Sequence, residues 1–224
     1  MNPSLARRLA AEGVGTALLL SIVIGSGIMA ERLSGGNVAI ALLANAIATG
    51  CGLAVLVAVF APISGAHFNP LVSIALASRG RIEWREAFAF VFVQFLAAVC
   101  GVVIAHLMFD EPVLSWGGKV RAAPGQVFGE FVATFGLIVV VWACVERKLR
   151  AAPALIGAYI AAAYWFTSST SFANPAVTVA RSLSNTFAGI RPADVPAFVI
   201  AQALGAAAAT ALSAWLWRGF RERE

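Results

Sequence analysis

Long hydrophobic runs dominate this chain, each close to the roughly 20 residues that cross a hydrocarbon core, with short polar or basic breaks between them. The runs Leu9–Ala30, Val38–Phe60, Ala87–Phe109, Gln126–Val145, Pro153–Thr167 (short) and Ala193–Trp217 predict six transmembrane helices. Polar residues inside them recur in a fixed order. Glu12-x-x-x-Thr16 opens the first run and Glu130-x-x-x-Thr134 the fourth, while the third carries Phe90-Val-Phe-Val-Gln94 and the sixth Phe198-Val-Ile-Ala-Gln202. Between these landmarks lie two further segments, Ser64-Gly-Ala-His-Phe-Asn-Pro-Leu-Val-Ser73 and Ser171-Phe-Ala-Asn-Pro-Ala-Val-Thr178.

This recurrence predicts one domain over 1–224, made of two copies, 1–125 and 126–224. Each copy has an odd number of spans, so the second enters the membrane from the opposite side and the repeats are inverted. As helices, Asn69–Ser78 and Asn174–Ser184 rise only about 15 Å, half a bilayer, and are expected to dip in from opposite faces and meet near the midplane. Pro70 and Pro175 suit a first helical position and Asn69 and Asn174 suit the N-cap. Two such N-termini, each carrying about half a positive charge, repel cations and hydronium and accept a neutral solute with lone pairs. The expected fold is an all-α membrane protein with six transmembrane helices plus two re-entrant half-helices in inverted repeats.

Composition agrees: hydrophobic residues make up 60% of the 224, charged residues 12%, and mean hydropathy is +0.85, outside the range of an ordinary soluble domain. The net charge of +5 does not call for nucleic acid. With a cytoplasmic N-terminus, the inside collects Arg7, Arg8, Arg79, Arg81, Arg85, Arg147, Lys148, Arg150, Arg218, Arg221 and Arg223, and the outside keeps Arg32, Lys119, Arg121, Arg181 and Arg191. Eleven against five places both termini in the cytoplasm by the positive-inside rule. Arg7 and Arg8 imitate a signal-peptide n-region, but the following run is too long for a signal core and is expected to stay as a helix. Cys51, Cys100 and Cys144 fall inside spans and are odd in number, so they read as small buried hydrophobes. No triad, phosphate-cradling glycine loop or metal-ligand spacing appears, so no cofactor, metal or enzymatic activity is expected.

Glu12 and Glu130 are expensive inside apolar spans. They are expected to anchor the re-entrant loops by accepting their backbone N–H groups, because lipid offers irregular backbone no partner. The alternative is a proton relay in an ion-coupled secondary transporter. His106 is expected to be a packed or interfacial residue. Trp116, Trp142, Trp165, Trp215 and Trp217 read as an interfacial belt, and Gly101, Gly136, Gly157 and Gly205 as close helix contacts.

Taken together, the six runs, Glu12, Glu130, His67-Phe68-Asn69-Pro70 and Asn174-Pro175-Ala176 resemble the aquaporin and aquaglyceroporin family of major intrinsic proteins over essentially the whole chain. The resemblance implies a passive channel for water and small uncharged solutes, assembled as a homotetramer in a bacterial-type inner membrane, with His67 lining the cytoplasmic half of the pore. Two positions depart from the family pattern. Leu71 replaces the alanine of the first motif, and Val177 stands where an arginine usually follows the second. Arg181 lies about 6 Å further along the helix axis and is expected to anchor the half-helix. By the family's spacing the remaining filter positions are Thr49, Ala162 and Ser171. A filter of Thr49, Ala162, Ser171 and Val177 is small and neutral, as in the aquaglyceroporins that accompany arsenic-resistance genes, and implies passage of glycerol, arsenous acid and methylated arsenicals with some water. A channel mainly for water is the other reading within the family.

Overall fold

A computed structural model describes residues 3–218, and all its regular elements are helical. Arg221 and Arg223, counted above among the inside charges, lie outside the described residues. The helices are α1 (Leu5–Leu33), α2 (Val38–Ser64), α3 (Pro70–Ser78), α4 (Trp84–Met108), α5 (Pro124–Glu146), α6 (Ala152–Phe166), α7 (Pro175–Arg181) and α8 (Val195–Leu216), with a 3₁₀ turn, Pro192–Asp194, leading into α8. Five apolar segments are long enough to cross a bilayer. The exception, α6, has 15 residues and rises about 22 Å, because the chain leaves the helix at Thr167 to begin the second re-entrant loop.

Each half of the chain supplies two apolar helices, a short helix and a long one. In the first half α1 packs on α2 and α4; in the second α5 packs on α6 and α8; α2 and α6 join the halves. Glycines allow these crossings. A Cβ on Gly101 would strike the Ala17 carbonyl of α1, one on Gly205 the Phe131 carbonyl of α5, and Gly50 and Gly157 face each other across α2 and α6. Close backbone approach of this kind holds helices together where lipid removes the hydrophobic drive between them. Phe88, Phe92, Leu96, Ile200 and Leu204 stay exposed on the outer faces of α4 and α8, an apolar surface suited to lipid.

Some side chains sit elsewhere than the sequence suggests. Trp142 is wholly buried rather than part of a belt; its indole donates to Thr210 Oγ1 and the Arg79 guanidinium lies over its ring at 4.4 Å. Cys51 and Cys100 are exposed on the helix exteriors and only Cys144 is buried. His106 is packed, with Nδ1 at 3.0 Å from the Val113 carbonyl and Nε2 at 2.9 Å from Ser184 Oγ.

Candidate functional site

The short helices α3 and α7 lie against α4 and α8 and meet tip to tip. Asn69 turns its Oδ1 back to accept from Leu71 N at 3.0 Å, and its Nδ2 donates across the junction to the Ala173 carbonyl at 2.8 Å. Asn174 does the same in mirror order: Oδ1 accepts from Ala176 N and Val177 N, and Nδ2 donates to the Phe68 carbonyl at 2.7 Å. Each asparagine therefore caps its own helix and ties it to the other.

The loops entering these tips are strained in the same way. Ala66 and Phe68 on one side, and Ser171 and Ala173 on the other, have φ between +48° and +52°, a left-handed conformation costing a non-glycine residue about 1–3 kcal/mol. Two carboxylates hold it. Glu12 accepts from His67 N (2.9 Å), Phe68 N (2.7 Å), Ser64 Oγ (2.7 Å) and Gln94 Nε2 (2.9 Å). Glu130 accepts from Phe172 N (2.8 Å), Ala173 N (2.9 Å) and Gln202 Nε2 (2.6 Å). Each glutamine amide also bridges to a hydroxyl on its half-helix, Gln94 to Ser73 and Gln202 to Thr178. Charge-assisted bonds of this number compensate a buried carboxylate. Phe68 fits because Gly15 of α1 leaves room for its ring.

A cavity of about 200 Å³ runs past this junction, lined by Asn69 and Asn174 and by the loop residues 65–69 and 171–174. The opposite wall is apolar, formed by Leu19, Leu53, Leu137, Val141, Ile156 and Ile160. A row of polar groups facing a greasy wall can orient a small solute without holding it tightly. Toward α3 the cavity passes His67, Val72 and Leu76; His67 Nδ1 pairs with Ser73 Oγ at 2.9 Å and its ring stands edge-on to Phe90. Toward α7 it passes Thr49, Tyr164, Ser171, Phe172, Val177 and Arg181.

Thr49, Ser171 and Val177, assigned to the filter from sequence, line this second limb. Ala162 does not. It is exposed on α6 in a stripe with Leu155, Ala158, Trp165 and Phe166, whereas Ile156, Ile160 and Tyr164, spaced one turn apart, face the cavity. Counting back from Asn174 missed this face because the α6–α7 loop sets the helix register, and only the four-residue spacing of Ile156, Ile160 and Tyr164 could have revealed it. Tyr164 lines the cavity from this helix, donating its hydroxyl to Thr49 Oγ1 at 3.3 Å. Pro70, Pro175, Leu71 and Ala176 are buried in the half-helices; Leu71 and Ala176 are not among the lining residues.

The α7 limb also gathers charges read above as belonging to outside loops. The segment between α4 and α5 crosses the end of α7: Gly117 N donates to the Ser182 carbonyl and Ser115 N to that of Leu183. It delivers Arg121, buried, whose Nε donates to the Gly189 carbonyl and Nη1 to that of Ser169, while its backbone N–H binds Asp194. The guanidinium of Arg121 and that of Arg181 both lie over the Phe172 ring, at 4.8 and 3.4 Å. Lys119, on the same segment, donates to the Phe187 carbonyl at 3.1 Å; partial burial, then the charges of Arg121 and Arg181, push its pKa down to about 8.

Comparison with known proteins agrees with this geometry. The profile described as "Major intrinsic protein" matches residues 1–171. The chain is 54% identical over 212 residues, covering 95% of it and 91% of the relative, to "Aquaglyceroporin AqpS" of Rhizobium meliloti (strain 1021). It is 30% identical to "Probable aquaporin AqpM" of Archaeoglobus fulgidus over 97% of this chain and 98% of that one. Among solved structures, the aquaglyceroporin from Plasmodium falciparum superposes with a TM-score of 0.74 at 18% identity, over 93% of this chain and 95% of that one, and so shares the fold. Members of this family are channels rather than enzymes, and the chain, a multi-pass integral membrane protein with crossed Asn-Pro tips beside a continuous cavity, belongs to the major intrinsic protein family.

Proposed function

We propose that this protein is a passive channel for small uncharged polyhydroxy solutes, glycerol among them, with arsenous acid and methylarsenite as further cargo and some water flux. The supporting observation is the α7 limb, where Val177 contributes an apolar surface beside Ser171 and the paired hydroxyls of Thr49 and Tyr164. Arsenous acid, like glycerol, is neutral near pH 7 and carries three hydroxyls, so one wall of donors and acceptors facing one apolar wall serves both. The printed name of the relative that is 54% identical, an aquaglyceroporin, supports the polyol part of this reading.

In this reading the residues divide as follows. Asn69 and Asn174 with the half-helix tips disfavour cations, Glu12 and Glu130 keep the loops in shape, His67 lines the α3 limb, and Thr49, Ser171 and Val177 set width and polarity on the α7 limb. The repeats are inverted, both termini face the cytoplasm of a bacterial-type inner membrane, and four subunits assemble with one conduit each. Arg7, Arg8, Arg79, Arg81 and Arg85 toward the α3 side support that orientation.

Stopped-flow swelling of proteoliposomes with water, glycerol, urea and arsenous acid tests the function. Non-saturating glycerol and arsenous acid uptake, unaffected by a proton gradient, is expected. Saturation, or dependence on that gradient, overturns the channel reading. Val177→Arg is expected to cut glycerol and arsenical flux more than water flux; equal loss for all solutes removes Val177 from the filter.

A further inference from the structure

Where α1 enters the bilayer it forms a second groove with the end of α2. This groove, of about 410 Å³, is walled by Pro3, Ala10, Val14, Phe60 and Ile63, with Arg7 at its polar end. Arg7 stands just before the apolar run that begins at Leu9, at the depth of lipid phosphates, and Val14 lies about 10 Å further down the helix axis. That depth stays within one leaflet, whose hydrocarbon is about 15 Å thick. Neighbouring arginines are already paired, Arg8 with Glu86 and both Arg79 and Arg81 with Glu146. Arg7 is exposed, and among the described residues no carboxylate pairs with it. The groove also backs onto the first re-entrant loop. Phe60 stands edge-on to Phe68 with ring centroids 6.0 Å apart, and the Phe68 carbonyl accepts from Asn174 at the junction.

We propose that this groove binds an anionic phospholipid of the leaflet surrounding the start of α1, with the phosphate on the guanidinium of Arg7 and one acyl chain laid along Ala10 and Val14 against Phe60 and Ile63. The site is separate from the solute pathway and does not depend on which solute passes. Arginine meets a phosphate with two parallel N–H bonds, and the apolar walls meet the chain. The two follow one another in the order a lipid presents them, head toward water and tail toward the midplane. A second copy of this chain is the other occupant such a face could take. It would need a carboxylate at the same depth. At this end of the bundle Glu86 is held by Arg8 and Glu146 by Arg79 and Arg81, leaving Glu83 among the described residues. A bound chain buttresses the Phe60–Phe68 contact, and through it the first re-entrant loop.

The test is native mass spectrometry of the detergent-purified protein titrated with phosphatidylglycerol or phosphatidylcholine of identical acyl chains, with melting temperature measured alongside. Phosphatidylglycerol is expected to bind about fivefold more tightly, the effect of one basic residue at an anionic surface, and to raise the melting temperature more. Arg7→Gln is expected to abolish both differences, whereas Arg85→Gln, at an exposed position on α4 outside the groove, keeps them. Ala10→Phe fills the groove and is expected to weaken both lipids about threefold or more. Equal affinity for the two lipids, a preference that survives Arg7→Gln, or one lost equally in Arg85→Gln overturns the proposal. Displacement of the lipid by water-soluble glycerol phosphate overturns it in favour of a free-phosphate site. A changed oligomeric state in Ala10→Phe with lipid binding intact assigns the face to a second copy instead. If the variants do not fold, the two lipids on the unmodified protein decide it.

Discussion

In the α3 limb, Glu12 gathers the N–H groups of His67 and Phe68, Gln94 bridges to Ser73, and Val72 and Leu76 follow Asn69 by three and seven residues. In the α7 limb, Glu130 gathers Phe172 and Ala173, Gln202 bridges to Thr178, and Val177 and Arg181 stand at the same two offsets from Asn174. All four of these offset residues line the cavity. The limbs thus agree wherever the backbone must be held and at the first cavity-facing turn. They part at the second turn, leucine against arginine, and at the ring preceding each tip, His67 against Phe172. What holds a re-entrant loop is common to the two copies; what meets the solute differs.

The strongest way to break the comparison is to remove the anchors. Each buried N–H left unsatisfied costs about 1–3 kcal/mol, so Glu12→Ala and Glu130→Ala are both expected to lower the detergent melting temperature sharply. Glu12→Ala falls further, because it strands four donors against three. The reverse order of melting would mean the loops are not held equivalently.

Next in size, Leu76→Arg imposes the α7 pattern on the α3 limb, where Cys144, Val145 and Ile156 line the cavity. An uncompensated buried charge costs several kcal/mol, so flux of every solute is expected to fall about tenfold or more, read by stopped-flow swelling. A flux close to that of the unmodified protein would show that the second turn tolerates either residue.

A smaller effect is expected from Phe172→Leu, which removes the surface beneath Arg181 and Arg121 and with it about 0.5–2 kcal/mol per cation–π contact. Melting temperature drops by a few degrees and the glycerol-to-water ratio falls, whereas His67→Leu in the other limb leaves that ratio unchanged. A shift of the ratio in the His67 variant alone would invert the assignment.

The smallest is a pH effect at Lys119. Its pKa lies near 8, lowered by partial burial and by Arg121 and Arg181 and only slightly offset by Glu31. The ammonium is therefore charged below about pH 8 and neutral above it. As pH rises from 7 to 9 the α7 mouth loses most of one positive charge, and leak of a small organic cation such as guanidinium is expected to rise less than about threefold because salt screens a group that is only partly buried. Lys119→Met removes the pH dependence; a leak that falls with rising pH would contradict the sign.

How much of this was legible beforehand differs by the kind of signal. The six runs, the anchors' positions and the two Asn-Pro caps are local patterns of hydropathy and helix-start chemistry, and they place α1 to α8 within a few residues. The family shows in the same motifs. Ala162 failed because its placement depended on the register of α6 relative to a loop, a quantity that counting residues cannot supply. Arg121 and Arg181 were legible as charges but not as neighbours: nothing local says that a segment near residue 120 crosses the end of a helix at 181. Trp142 shows the same limit, since an indole near a span end is read as interfacial unless its partners, Arg79 and Thr210, are known.

The crossed asparagine bonds also carry a consequence for biosynthesis. Asn69 Nδ2 waits for the carbonyl of residue 173, and the Phe68 carbonyl waits for the amide of residue 174, over a hundred residues later in translation. A ribosome that has finished α4 has produced a re-entrant loop whose tip has no mate. Until the second half is inserted, that tip must be kept from lipid by water, by the insertion machinery or by staying near the surface. Truncations after residue 125 should therefore leave the first loop open to proteases, and the protein's vulnerable interval is set by the time taken to make its other half.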